Sequence, residues 1–338
     1  MARLSFAAAA ITALLVTALL GYPVIPWLQK LKFGQPIKEI GPTWHKNKEG
    51  TPTMGGLMFI VGSLLGLVAG MAVLLVYTPE LAGKEYMPAN INIVIGVLAA
   101  LGYGAIGFTD DYIKVIKKRN LGLSAWYKII MQLLVTAAFL GALYLNNSLS
   151  TEMVLPFIGL VDFGVYYYIL TVLFIIGMVN GVNLTDGIDG LNTSVTFVVC
   201  VGIMLLAGLT GAYNVSIYAA AVAGGCAGFL VWNFHPAKVI MGDTGAMYLG
   251  GALVAMAYAM GYPQLLLFAG AVYVIEAASV IIQRYYFKFT HGKRIFKMSP
   301  IHHHFEMSGW SEIKIVTVFS GVSVAAVAAA FAYLLAIT

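Results

Sequence analysis

The chain has 338 residues, of which 60% are hydrophobic and only 10% charged. Ordinary soluble domains carry roughly 25% charged residues, so a water-wetted globular fold is excluded and lipid must cover much of the surface. The formal charge of +5 is sorted by membrane side rather than gathered into an aromatic-interleaved patch, which argues for anionic lipid or phosphate-bearing ligands and against nucleic acid.

The apolar runs are continuous rather than alternating, so they predict membrane-spanning helices of about 20 residues and not barrel strands. In chain order ten spans are expected, at 5–28, 54–77, 91–108, 126–145, 165–182, 191–209, 215–232, 246–260, 264–287 and 313–336. The first is too long for a secretory leader and runs into Tyr22, Pro23, Pro26 and Trp27 without a clear cleavage site. Gly62, Gly66 and Gly70 form a small-residue row on the second, as close helix packing requires. Cys200 and Cys226 fall inside spans, with neither metal-type spacing nor a disulfide framework. The expected fold is therefore an all-α polytopic membrane protein, a single domain over 1–338 with ten transmembrane helices.

An even span count puts both termini on one side. Seventeen of the nineteen Lys and Arg residues then fall on the other side, leaving only Arg3 and Lys84 with the termini. The positive-inside rule makes the basic side cytoplasmic and the termini extracytoplasmic. Glu80, Glu85, Glu152 and Asp162 lie on the outer loops, where they read as solvated.

Asp110, Asp111, Asp186, Asp189 and Asp243 lie in three separate loops at the cytoplasmic span ends, which topology brings to one membrane depth. Carboxylates near a bilayer are costly unless hydrated, paired or metal-bound. The adjacent pair Asp110-Asp111, followed by Lys114, reads either as a hydrated helix end or as an oxygen-ligand site of the kind Mg²⁺ takes. In Asn180 to Asn192, Asn183, Asp186 and Asp189 recur every third residue and would share a face if that stretch is helical. Asp243 and Thr244 lie just before the eighth span, where free helix N–H groups favour phosphate with Asp243 placing a cation beside it, and either side chain suits an N-cap. The run His302-His303-His304 offers imidazoles to phosphate, sugar or a metal, although consecutive residues do not easily face one ion. Glu276 is a carboxylate inside the ninth span, with Gln283 seven residues on and on roughly the same face.

These motifs, together with His45 to Gly56 and Met241-Gly242-Asp243-Thr244-Gly245, resemble the phospho-N-acetylmuramoyl-pentapeptide transferases, a family of polyprenyl-phosphate N-acetylhexosamine-1-phosphate transferases. The resemblance covers essentially the whole chain. It implies a reaction at the bacterial cytoplasmic membrane between UDP-N-acetylmuramoyl-pentapeptide and undecaprenyl phosphate, giving lipid I and UMP with Mg²⁺ as cofactor. It further implies catalytic roles for Asp110, Asp111, Asp243 and His302, with Asp243 and Asp111 on the metal. Lys48, Lys114, Asn183, Asp186, Asp189, Asn233, Gln283, His303 and His304 are the implied substrate contacts. Ile240 departs from the aromatic residue expected beside the uracil in some members, and a homodimer is expected by resemblance alone. The rivals are a sibling transferase moving N-acetylglucosamine-1-phosphate and an ion-coupled transporter. The latter calls for internal repeats and for charge deep in the spans, where only Glu276 qualifies.

Overall fold

The computed structural model describes residues 2–31, 50–83, 85–116, 121–155 and 158–337. Among them, helices α1 (Ala2–Lys30), α2 (Gly56–Tyr77), α3 (Met87–Ile116), α4 (Ala125–Leu145), α5 (Val165–Thr185), α6 (Leu191–Leu209) and α7 (Tyr213–Asn233) precede α8 (Gly242–Ala259). The short α9 (Leu265–Ala269), then α10 (Ala271–Phe289), the short α11 (Ile301–Glu306) and α12 (Glu312–Ile337) complete the chain.

Among the described residues, eight helices, α1 to α7 and α12, are long and apolar enough to cross a membrane. The two other expected spans are also helical. However, α8 opens on Asp243 and is rich in Gly and Ala, while α10 carries Glu276, Arg284 and Lys288. Both are therefore less apolar than the rest, and α8 is buried nearly all round by its neighbours instead of facing lipid.

The elements depart from those expected in several places, and α8 starts at Gly242 rather than 246, so Asp243 stands on its first turn and not in a loop. Helix α3 continues to Ile116, so Asp110, Asp111 and Lys114 stand on its last turns rather than in a loop. No Gly or Pro interrupts that stretch after Gly107, and Lys114 lies three and four residues beyond the two carboxylates, a spacing that supports the helix. The ninth expected span is broken at Gly270 into α9 and α10. Between α4 and α5 the chain forms a two-stranded antiparallel ribbon, β1 (Glu152–Leu155) against β2 (Gly159–Asp162). There Asp162 accepts from the Thr151 hydroxyl and the Gly164 N–H, which holds its carboxyl below the ordinary range.

Packing sets the site. Helix α3 lies along α8, α5 packs on α8 and α10, and α1 packs on α2 and α7. The segment leading into α2 pairs with the strand-like approach to α8. Ile240 N donates to Pro52 O at 2.9 Å, and Gly55 N and Gly56 N donate to the carbonyls of Ile240 and Met241 at 2.9 and 3.0 Å. Two motifs nearly two hundred residues apart thus meet at the start of α8, beside the last turns of α3 and α5.

Candidate active site

Three carboxylates converge where α3 meets α8. One oxygen from each of Asp110, Asp111 and Asp243 lies within 4.8 Å of the others. Asp110 and Asp111 are nearly fully buried, which makes their convergence costly without a cation. The Lys114 ammonium supplies one, standing 2.5 Å from Asp110 Oδ2, 2.9 Å from Asp243 Oδ2 and 3.7 Å from Asp111 Oδ1. Lys128, on the first turn of α4, adds a second contact to Asp243 Oδ2 at 3.1 Å. Asn183, near the end of α5, donates to the other Asp243 oxygen at 2.8 Å.

Asp111 is bound differently. Its Oδ2 accepts from the Thr244 backbone N–H at 2.9 Å and the Thr244 hydroxyl at 2.7 Å, and its Oδ1 accepts from Asp243 N at 3.3 Å. The free N–H groups of the α8 first turn, where phosphate is expected, are thus taken up by this carboxylate. Asp110 Oδ1 accepts from Leu123 N at 2.8 Å, tying α3 to the approach of α4.

The chain reaches this arrangement through Gly242, at φ +71°, where an added Cβ would lie 2.6 Å from both Asp111 Oδ2 and Thr53 Oγ1. Gly242→Ala is expected to lower the thermal unfolding midpoint, because the left-handed conformation alone costs about 1–2 kcal/mol for a residue with Cβ. An unchanged midpoint in a melting experiment would show that the turn yields freely.

Asn183, Asp186 and Asp189 do not share a helical face, because α5 ends at Thr185 and Asp186 takes φ −80°, ψ 56° as its C-cap. Asn183 and Asp186 remain on the carboxylate side. Burial, reinforced by the charges of Asp243, Asp111 and Asp189, holds the Asp186 carboxyl well above the ordinary range despite a hydrogen bond from the Gly242 N–H. Asp189 turns the other way. Its Oδ2 accepts from Ala237 N at 3.0 Å and lies 3.0 Å from His235 Nδ1, while its N–H donates to Glu312 Oε2 at 3.0 Å.

The Asp186 shift sets a pH dependence. A raised carboxyl binds its proton in the folded protein, and a cation competes with that proton. Affinity of the carboxylate cluster for a divalent cation is expected to rise with pH as the medium passes above the ordinary carboxylate range into that of Asp186, with proton release on binding. The same shift makes the cation-free fold lose stability as pH rises through the Asp186 value. Calorimetry in two buffers of different ionisation heat checks the release. A proton count unchanged in Asp186→Asn would remove Asp186 as its source.

The other expected contacts are engaged within the protein. Asn233 accepts from the Thr193 hydroxyl at 2.7 Å and donates to Val239 O at 2.9 Å, bracing the approach to α8. Gln283 Oε1 accepts from Ile295 N and Phe296 N, at 3.1 and 2.9 Å. The three histidines sit on α11 and face three different partners. His302 Nδ1 lies 3.1 Å from Glu276 Oε1, His303 Nδ1 lies 2.9 Å from Glu306 Oε2, and His304 Nδ1 accepts from Lys297 N at 3.1 Å. His302 is fully buried, and no hydrogen bond joins it to the carboxylate cluster among the described residues. Lys48 lies outside the described residues.

Lys128 and Thr244 are the site residues that sequence reasoning did not assign. A lysine at a cytoplasmic span end looks the same whether it marks topology or binds a carboxylate, and Thr244 read as one of two N-cap candidates.

As for a metal, the donor set is all oxygen and already holds a cation, the Lys114 ammonium, at its centre. Three aspartates against Lys114 and Lys128 leave one net negative charge, before Asp186 is counted. The residues present therefore fit a hard divalent cation such as Mg²⁺.

The profile of glycosyl transferase family 4 matches residues 93–261, and a phospho-N-acetylmuramoyl-pentapeptide-transferase signature matches residues 48–60. A phospho-N-acetylmuramoyl-pentapeptide-transferase of Desulforamulus reducens is 47% identical, over 90% of this chain and 88% of its own length. Proteins of the same name from Halalkalibacterium halodurans and Bacillus subtilis are each 44% identical, over 91% and 90% of this chain and the same shares of their own lengths.

Proposed function

Because the chain belongs to the phospho-N-acetylmuramoyl-pentapeptide transferase family, we propose that it moves phospho-N-acetylmuramoyl-pentapeptide from its UDP-linked precursor to undecaprenyl phosphate. The products are lipid I and UMP. The observation that carries this reading is the Lys114 ammonium held among Asp110, Asp111 and Asp243 at the junction of α3 and α8. A site that gathers carboxylates around a cation where helices end is suited to a diphosphate and its counter-ion.

The orientation follows from charge. With α8 and the α9–α10 pair counted as crossings, ten spans put both termini outside and the carboxylate cluster at the cytoplasmic face of the bacterial inner membrane. There a cytosolic nucleotide-sugar and a membrane-held lipid phosphate can meet.

In the transfer, an oxygen of the lipid phosphate attacks the β-phosphorus of the precursor. The bond from that phosphorus to the oxygen it shares with the α-phosphorus breaks, and UMP leaves with that oxygen. The lipid phosphate is already a nucleophile, so attack is direct, with no phosphorylated aspartate. Asp110 orients the lipid phosphate and takes its proton where one is present. Lys114 and Lys128 offset phosphate charge, and Asn183 and Asp186 line the nucleotide side. Asp243 and Asp111 would hold Mg²⁺, whose chemistry when bound is to stabilise charge on the diphosphate and the leaving UMP.

Labelled UDP-N-acetylmuramoyl-pentapeptide, undecaprenyl phosphate and Mg²⁺ should yield UMP and a lipid-linked product, and chelation should abolish both. UDP-N-acetylglucosamine in place of the precursor should yield none. UMP release from UDP-N-acetylglucosamine alone would transfer the assignment to the sibling reaction. A phosphorylated aspartate trapped without lipid would replace direct attack.

A further inference from the structure

Helix α10 carries a fully buried carboxylate, Glu276, in contact with a fully buried imidazole, His302 of α11. Each has a second polar atom without a hydrogen-bond partner, Glu276 Oε2 and His302 Nε2. A paired Glu and His inside a membrane protein are costly to keep for packing alone. The direction of the imidazole points to what they do. His302 Nε2 faces Gly187 so closely that a Cβ on that residue would stand 2.1 Å from it. Gly187 follows Asp186, the C-cap of α5, in the turn that ends at Gly190.

We infer that Glu276 is a positioning residue: by accepting the Nδ1–H of His302 it fixes the ring so that Nε2 abuts the Asp186–Gly187 turn, and so sets where that turn stands beside the carboxylate cluster. The same helix grips the same loop a second time. Gln283, two turns further along α10, receives the N–H groups of Ile295 and Phe296 and so fixes the chain leading into α11. Between these two contacts α11 has little freedom, and His302 transmits the position of α10 to the turn after α5. His302 thereby acts through the turn rather than on substrate.

The inference deepens the proposed transferase function, because the turn is that reading's nucleotide side. Two variants of the full-length protein separate hydrogen bond from charge. Glu276→Gln keeps an acceptor for Nδ1–H, whereas Glu276→Met keeps only volume. Glu276→Met is expected to lower kcat/KM for the UDP-linked precursor about 10–100-fold, the range seen when an outer partner of a site is removed. KM for the lipid phosphate should stay within about 3-fold, and Glu276→Gln should stay within about 3-fold of wild type in both. A general folding defect would impair both substrates alike.

Hydrogen exchange of the 185–191 segment supplies a readout that needs no turnover, with faster exchange in Glu276→Met but not in Glu276→Gln. Should Glu276→Met fail to fold, Gly187→Ala, which pushes the turn away from Nε2, is expected to give the same faster exchange and the same selective loss. Its behaving as wild type overturns the inference. So does a wild-type-like Glu276→Met, or a Glu276→Gln as impaired as Glu276→Met, which would make charge and not position the contribution. If the wild-type protein releases no UMP, the transferase reading falls and the exchange experiment alone decides the role of Glu276.

Discussion

Asp243→Asn is expected to lower UMP release by about 10³-fold, the largest loss of any single substitution in this site. The change hardly alters volume, so the reason is charge. Asp243 Oδ2 accepts from both Lys114 and Lys128, and Oδ1 accepts from Asn183. An amide cannot serve all three donors, because its NH₂ must face either the lysines or the Asn183 amide. More important is the charge balance. With Asp243 neutral, Asp110 and Asp111 oppose Lys114 and Lys128 one for one, and the surplus negative charge that draws a divalent cation is gone. Raising Mg²⁺ should recover part of the activity if the loss lies in cation binding. Turnover of Asp243→Asn within about tenfold of wild type, in the radiolabel assay at the Mg²⁺ concentration that half-saturates the wild-type protein, would remove Asp243 from the cation site.

Most of what positions this site could be read from the chain because membrane physics writes it plainly. Apolar length marks the spans, eight of which are long and apolar enough among the described residues to cross a membrane. The gathering of Asp110, Asp111, Asp186 and Asp243 followed from topology, since helix ends on one face of a bundle have little room to separate. What sequence did not yield depends on directions within that layer. Asp189 is three residues from Asp186, yet one backbone change at the end of α5 sends it to His235 and Glu312. Glu276 could be flagged as an intramembrane carboxylate, but its partner His302 is brought to it by the fold from another helix. The free N–H groups at the α8 N-terminus could be anticipated, whereas their use by Asp111 could not. Its Thr244 contacts span more than a hundred residues and leave no local signal. The ribbon between α4 and α5 was missed for a different reason: two four-residue strands have too short a pattern to stand out.

Lys114→Met should produce the opposite signature to Asp243→Asn at the same site. Its ammonium contacts all three carboxylates, and the side chain is about one-third exposed, so bulk water screens it only in part. Removing it leaves Asp110, Asp111 and Asp243 with Lys128 as the one remaining ammonium contact among the described residues. In the cation-free protein like charges then repel, and the unfolding midpoint is expected to fall. Added Mg²⁺ should restore it, because the vacated centre of the cluster suits a divalent ion better than before. Affinity for the ion is therefore expected to rise, by about tenfold or more, while turnover falls by about 10²-fold because a cation that offsets phosphate charge is gone. Titrating Mg²⁺ while following thermal unfolding, alongside UMP release, separates the two effects. An unchanged or weaker response to Mg²⁺ in Lys114→Met would mean that ammonium and metal do not compete for one place, and that the three carboxylates are a structural ion-pair network instead of a cation site.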